Sequence, residues 1–203
     1  MHQDNVAFNR GTTHYNGQTI DTNDYGNSVA LEGVIHEFPS IDTSVTALQS
    51  RRAGNVKMIC VRNVSGINLL PGRICLWKAG QEGKRVDGMC RLGAAAVARV
   101  AGVVDDMLPA AGVPNGDLFW MAVKGKHLAK TGLAISAIVV GDSVVAATAA
   151  STQAASAGRI NLADFNQATT PLALAIRGVV GVALTARTAN ETYTDILIDL
   201  DIE

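Results

Sequence analysis

The chain has 203 residues, 48% of them hydrophobic, so it can form a packed core; only 4% are aromatic, and glycine occurs 20 times. This composition disfavours an enzyme core around a deep pocket and favours short, tightly turned strands. The net charge is −1, but the charges are unevenly distributed: residues 1–50 and 131–203 are acidic, and residues 51–130 are basic. The basic residues are too dispersed to indicate a nucleic-acid-binding domain.

The first 55 residues differ from the rest of the chain. They are rich in Asn, Asp, Thr, Gly and Ser, and their apolar residues are scattered singly. A segment of this kind cannot bury much surface alone, so residues 1–55 are interpreted as an extended N-terminal arm that becomes ordered on a partner. A floppy tail is the alternative. Within the arm, residues 29–41 are expected to add a strand, and residues 44–52 are compatible with a short helix.

Residues 56–203 are interpreted as a β body. Short apolar runs alternate with turn signals such as Pro71-Gly72 and Asn115-Gly116, which is typical of strands joined by tight turns. No apolar run is long enough for a membrane-spanning helix. The first part of the body is predicted to contain strands at residues 56–62, 73–79, 84–87, 94–104, 117–123 and 126–129.

Several phrases of the body occur twice. Residues 138–146 resemble residues 69–77, residues 158–160 resemble 83–86, and residues 179–183 resemble 100–104; a final alternating strand at 193–200 takes the place of 117–123. The body is therefore predicted to consist of two diverged β units, at about residues 66–125 and 138–200. Gly102 and Gly181 each lie inside a Val-rich strand, where glycine marks a bulge or the close approach of another backbone.

The sequence contains no recognisable catalytic, cofactor or metal motif. The histidines, His2, His14, His36 and His127, are far apart, and no phosphate-binding loop or nucleophile elbow occurs. Asp105-Asp106 is the only tight acidic pair. Because adjacent residues of a strand point to opposite faces, the pair is interpreted as a solvated turn rather than a catalytic dyad. We therefore expect no enzyme activity, no cofactor and no metal.

Other polar and aromatic residues also have structural interpretations. Lys124, Lys126, His127 and Lys130 are compatible with a solvated strand edge, or with contact to an acidic shell protein or nucleic acid. Trp77, Trp120 and Phe119 are expected in the core. The cysteines, Cys60, Cys75 and Cys90, form no CxxC pair and are expected to be small buried hydrophobes in a protein made in a reducing cytoplasm. The N-terminus has no features of a signal peptide.

The order of these phrases resembles the head decoration, or cement, proteins of tailed bacteriophages. The resemblance rests on residues 70–76, 100–104 and 121–125, and in the second copy on residues 140–145 and 176–183. It implies a compact β-clip or β-tulip-like body, a homotrimer on the outer capsid surface, the major capsid protein as partner, and an N-terminal segment that joins the shell-protein sheet. No membrane and no specific nucleic acid are expected as partners.

The expected function is therefore that of a structural virion protein that binds the outside of the capsid and stabilises it. Two other readings stay open at the level of sequence. One is another virion component, such as a head-fibre base or a tail part, although no short strict repeat or heptad is present. The other is a β-barrel module that binds carbohydrate or nucleic acid, which the low aromatic content disfavours.

Overall fold

A computed structural model describes residues 31–42, 50–89, 99–132, 137–146, 158–162, 179–188 and 195–202. These residues form strands and turns, so the prediction of a mainly β chain is confirmed. The finer likeness to a β-clip or β-tulip stays a prediction. In chain order, the ten strands are β1 (Ile35–Asp42), β2 (Ser50–Asn63), β3 (Ile74–Trp77), β4 (Arg85–Met89), β5 (Val100–Val104), β6 (Leu118–Lys130), β7 (Ser143–Ala146), β8 (Ile160–Leu162), β9 (Val179–Ala183) and β10 (Asp195–Asp201).

Five of the strands close into a ring. β2 pairs with β4, β4 with β3, β3 with β5 and β5 with β6, and β6 pairs back with β2. Successive side chains of a strand point to opposite faces, so Ile59 and Val61 of β2 enter one core while Met58 and Cys60 enter another. Every strand of the ring contributes to the first of these cores, which therefore fills the inside of the ring.

The second core joins the ring to the C-terminal strands. It contains outward-facing residues of the ring, such as Trp120 and Ile74, together with Val144, Val180 and Ile198 of the later strands. β6 continues beyond the ring and pairs with β10 along seven residues. The two halves of the body are thus one hydrogen-bonded sheet with a shared core.

The two halves repeat the same pairing pattern. β4-β3-β5-β6 and β8-β7-β9-β10 are equivalent runs of neighbouring strands. Cys75 lies opposite Gly102 in the β3–β5 pair, and Val144 lies opposite Gly181 in the β7–β9 pair; the register shifts directly after Cys75 and directly after Val144. The recurring phrases of the sequence therefore fall on corresponding positions of the sheet. The boundaries of the two units stay predictions.

The predicted separation of residues 1–55 as an arm is wrong for its described part. β1 pairs with β2 over most of its length, and Phe38 of β1 packs edge-on against Trp120 with ring centroids 5.1 Å apart. The clustered apolar residues of this stretch have a strand partner within the same chain. A core that begins at residue 55 would lose this strand. The strand expected at 29–41 is present as β1, whereas residues 1–30 and 43–49 lie outside the described residues.

Two further element predictions are corrected. Residues 50–52, the end of the expected short helix, belong to β2. The two strands expected at 117–123 and 126–129 are the single strand β6, since Gly125 continues the pairing with β2 and β10 instead of ending it.

Candidate functional site

A buried cluster of one histidine and two aspartates lies between the end of β5 and the distal half of β6. Asp105 and Asp106 directly follow β5, and His127 comes two residues after Gly125. Gly125 has a φ of 95°, and an added Cβ would overlap with the carbonyl oxygen of Asn55 on β2. A register shift beside it bends β6. His127 Nε2 then lies 3.2 Å from Asp106 Oδ1 and 3.7 Å from Asp105 Oδ1.

The side chains of this cluster are held in place by the backbone. His127 Nδ1 lies 2.7 Å from the carbonyl oxygen of Leu128 and donates to it, which points Nε2 at the two carboxylates. Asp105 Oδ1 accepts a hydrogen bond from the Met107 amide at 3.2 Å. Burial by itself lowers the pKa of His127, but the carboxylates, Asp106 foremost, raise it by more, to about 9. The two carboxylates therefore favour the protonated form of the His127 ring.

The interpretation of Asp105-Asp106 as a solvated turn is wrong. Asp105 is fully buried, and both carboxylates converge on the same histidine. The argument from alternating faces does not apply, because both residues lie beyond the end of β5, where the chain is already turning.

The basic residues near His127 lie in two different settings. At Lys124, strand β6 is paired on both sides, opposite Asp201 of β10 and Lys57 of β2, whereas the pairing with β2 ends at Gly125 and the rest of the strand pairs with β10. Lys124 Nζ bonds Asp201 Oδ1 at 2.9 Å on the exposed surface. His127, by contrast, is 1% exposed. The interpretation as a solvated edge is therefore wrong for Lys124, which lies on a doubly paired part of β6, and for His127, which is buried.

A second buried ionic group was not foreseen from the sequence. Glu32 precedes β1 and bonds Arg62 Nε at 2.5 Å and Arg85 Nε at 2.8 Å. Burial raises the pKa of Glu32, whereas hydrogen bonds from Arg85 and Arg62 lower it by more, so that its pKa lies below the ordinary value. The carboxylate thereby ties the start of the described chain to β2 and β4. No local pattern signals this contact, because the three residues are far apart in sequence.

An exposed apolar corner lies at the turn before β7. Val139 and Val140 are 56% and 62% exposed, and Val182 of the neighbouring β9 is 39% exposed. Gly141, with a φ of 96°, completes the turn, and an added Cβ there would meet nothing within 4 Å. We call these residues, 139–141 with Val182, the second corner. In the sequence, this turn is indicated by the similarity of residues 138–146 to residues 69–77.

A shallow cleft of about 390 Å³ lies where β1, β2, β6 and β10 meet. Its lining is mostly charged and polar, with Glu37, Lys57, Lys124, Asp199 and Asp201 around its rim. Opposite charges alternate in it, and the described residues place no histidine or cysteine there. The cleft resembles a solvated seam between strands more than a binding pocket.

The aromatic and cysteine predictions agree with the described structure. Trp120 and Phe119 are buried, and Trp77 is partly buried against the core inside the ring. Cys60 and Cys75 are buried free thiols, and burial raises the pKa of Cys60 to about 12. Cys90 lies outside the described residues.

Comparison with known proteins finds no family model that matches the chain and no similar protein among the curated ones. In the described part of the chain, none of the helices has the length and hydrophobicity that crossing a membrane requires.

Proposed function

We propose that this protein is a structural component of a tailed-virus particle that binds the outer surface of the capsid and stabilises the shell. The partner is the major capsid protein, and the protein acts as a homotrimer. The mainly β body and the recurring phrases of the decoration-protein type support the proposal. A cement protein acts by mass action, because a ligand of the assembled shell stabilises that shell against its alternatives.

The second corner is the observation that carries the proposal. Val139 and Val140 are exposed on a turn that is anchored by the hydrogen bond from the Gly141 amide to the Ala183 carbonyl at 2.9 Å, and Val182 is exposed on the neighbouring β9. A stiff apolar projection of this kind suits a contact that many copies make at once, since each copy loses little conformational entropy on binding. We place the capsid contact at this corner.

The test uses capsids assembled without the protein, to which purified protein is added. The double variant Val139→Ser/Val140→Ser keeps the turn and removes apolar contact. Burying a valine side chain stabilises by about 1.5–3 kcal/mol, so the double variant should bind capsids at least about tenfold more weakly. The temperature of genome release should rise with wild-type protein and fall back with the variant.

The matched control is Ile67→Ser, which alters another exposed apolar residue on a turn, 49% exposed, away from the second corner. It should bind like wild type. If wild-type protein reaches full occupancy without changing the release temperature, the stabilising function is wrong. If it binds no capsid but binds a glycan or nucleic acid, a recognition module replaces the proposal. Whether residues 1–30 also contact the shell is a separate prediction, tested by a variant that lacks only these residues.

A further inference from the structure

We propose that Asp105, Asp106 and His127 form a binding site for one transition-metal dication, with Zn²⁺ as the best-fitting ion. One nitrogen and two carboxylate oxygens, one from each side chain, all lie within 4.8 Å of one another. The site is independent of the capsid proposal, since it lies in the interior of the protein.

The spacing of the donor atoms fits a single ion. Zinc–nitrogen and zinc–oxygen bonds of about 2.0–2.2 Å at tetrahedral angles place two ligand atoms about 3.4 Å apart. The separations of His127 Nε2 from Asp106 Oδ1 and Asp105 Oδ1, 3.2 Å and 3.7 Å, lie on either side of that value. The two carboxylate oxygens lie within 4.8 Å of each other, so an ion between the three atoms requires them to approach by at most about 1.4 Å.

An independent observation is the state of His127 Nε2. This atom is fully buried and aimed at the two carboxylates, yet it makes no hydrogen bond of acceptable geometry. A buried polar atom without a directed partner costs free energy, and an ion between the three ligand atoms would give Nε2 such a partner.

The surroundings resemble those of metal-binding histidines. His127 Nδ1 donates to the Leu128 carbonyl, and the Met107 amide donates to Asp105 Oδ1, so two of the three ligands are oriented by the backbone. Imidazole nitrogen favours zinc and other transition metals over Mg²⁺ and Ca²⁺, which prefer all-oxygen sites. The bound ion would clamp the turn after β5 to β6 and stabilise the folded chain by linkage.

The experiment uses the full chain, stripped with a chelator and then titrated with ZnCl₂ alone. Equilibrium dialysis with elemental analysis should find one Zn²⁺ per chain, and the thermal midpoint should rise with Zn²⁺ but much less with MgCl₂ or CaCl₂. Asp106→Asn, at the most accessible ligand, should weaken Zn²⁺ binding by more than the roughly 10–100-fold expected from losing an outer-shell contact. His36→Gln, which removes a histidine outside the cluster, should bind like wild type.

Nuclear magnetic resonance of the histidine rings tests the site without any variant. Addition of Zn²⁺ to wild-type protein should shift the ring signals of His127 and leave those of His36 in place, even if Asp106→Asn fails to fold. The proposal is overturned if the stripped protein binds no Zn²⁺. It is also overturned if Zn²⁺ binds without perturbing His127, or binds folded Asp106→Asn as tightly as wild type.

Discussion

The turn before β3 and the turn before β7 are built alike but end in opposite environments. Residues 70–72, which we call the first corner, and residues 139–141 both hold a glycine whose amide bonds the last residue of the neighbouring strand: Gly72 to Val104 at 3.0 Å and Gly141 to Ala183 at 2.9 Å. Gly72 is buried and Gly141 is exposed.

The difference comes from a strand far away in the sequence. The Lys130 amide at the end of β6 donates to the Gly72 carbonyl at 2.9 Å, and the Lys130 side chain lies against that glycine. Among the described residues, nothing covers Gly141 in this way. Equivalent turns thus lie in different environments, one packed against the end of β6 and the other exposed.

Buried charge occurs in both halves, since Arg159 and Arg187 of the second half are 6% and 2% exposed, but the buried carboxylates described above lie in the first half. Glu32 links β2 to β4, the pair of strands that closes the ring in the first half. The cluster of Asp105, Asp106 and His127 also belongs to the first half, and Leu184 and Thr185 occupy the positions after β9 that correspond to the two acids. The first half therefore depends on buried carboxylates that pair with cationic side chains.

The largest expected effect on stability comes from removing the buried carboxylate of Glu32. Glu32→Ala removes the carboxylate from Arg62, whose side chain is 8% exposed, and breaking such a buried pair costs about 3–5 kcal/mol. Denaturant unfolding measures the loss. The control is Asp87→Ala, which breaks the exposed Lys78–Asp87 pair and should cost at most about 1 kcal/mol. Equal losses would contradict a special role for the buried contact.

Substitution of the two equivalent glycines, Gly102 and Gly181, should have an intermediate effect on stability. An added Cβ at Gly102 would lie 2.6 Å from the Ala122 carbonyl oxygen, and one at Gly181 would overlap with the Asp199 carbonyl oxygen. Gly102→Ala and Gly181→Ala should each destabilise by about 1–3 kcal/mol through overpacking.

The control for the glycine pair is Val182→Ala, which changes an exposed residue of β9 without adding atoms and should change the stability by less than either glycine variant. If Gly102→Ala lowered the stability and Gly181→Ala did not, the two halves would not be equivalent at these positions.

The smallest expected effect is a pH dependence of the stability that arises from the buried carboxyl group of Glu32. The folded-state pKa of Glu32 is lowered from 4.5, so its contribution is fully present above 4.5 and is lost as the pH falls through the folded-state value. The difference in unfolding free energy between wild type and Glu32→Gln should therefore be constant above that pH and shrink in more acidic solution. A difference that grew on acidification would contradict the lowered pKa.

Local patterns in the sequence were sufficient for most of the strands. The apolar run at 56–62 predicted the second part of β2, and turn chemistry predicted the start of β3, because both signals reside in a few neighbouring residues. The Val-rich runs around Gly102 and Gly181 indicated positions that the sheet makes equivalent. Gly125 was misread as a break between strands, because a bend that preserves pairing has the same local signal as a turn.

The sequence by itself determined that this chain is mainly β, that its strands are rich in small residues, and that several segments of the body recur. Only the tertiary structure decided which strands pair and which distant side chains contact one another. It paired β1 with β2, brought Glu32 to Arg62 and Arg85, and gathered Asp105, Asp106 and His127 into one buried cluster. The physical reason is that strand formation depends on neighbouring residues, whereas burial and ionic contact depend on which distant strands the closed ring and the bend of β6 bring together.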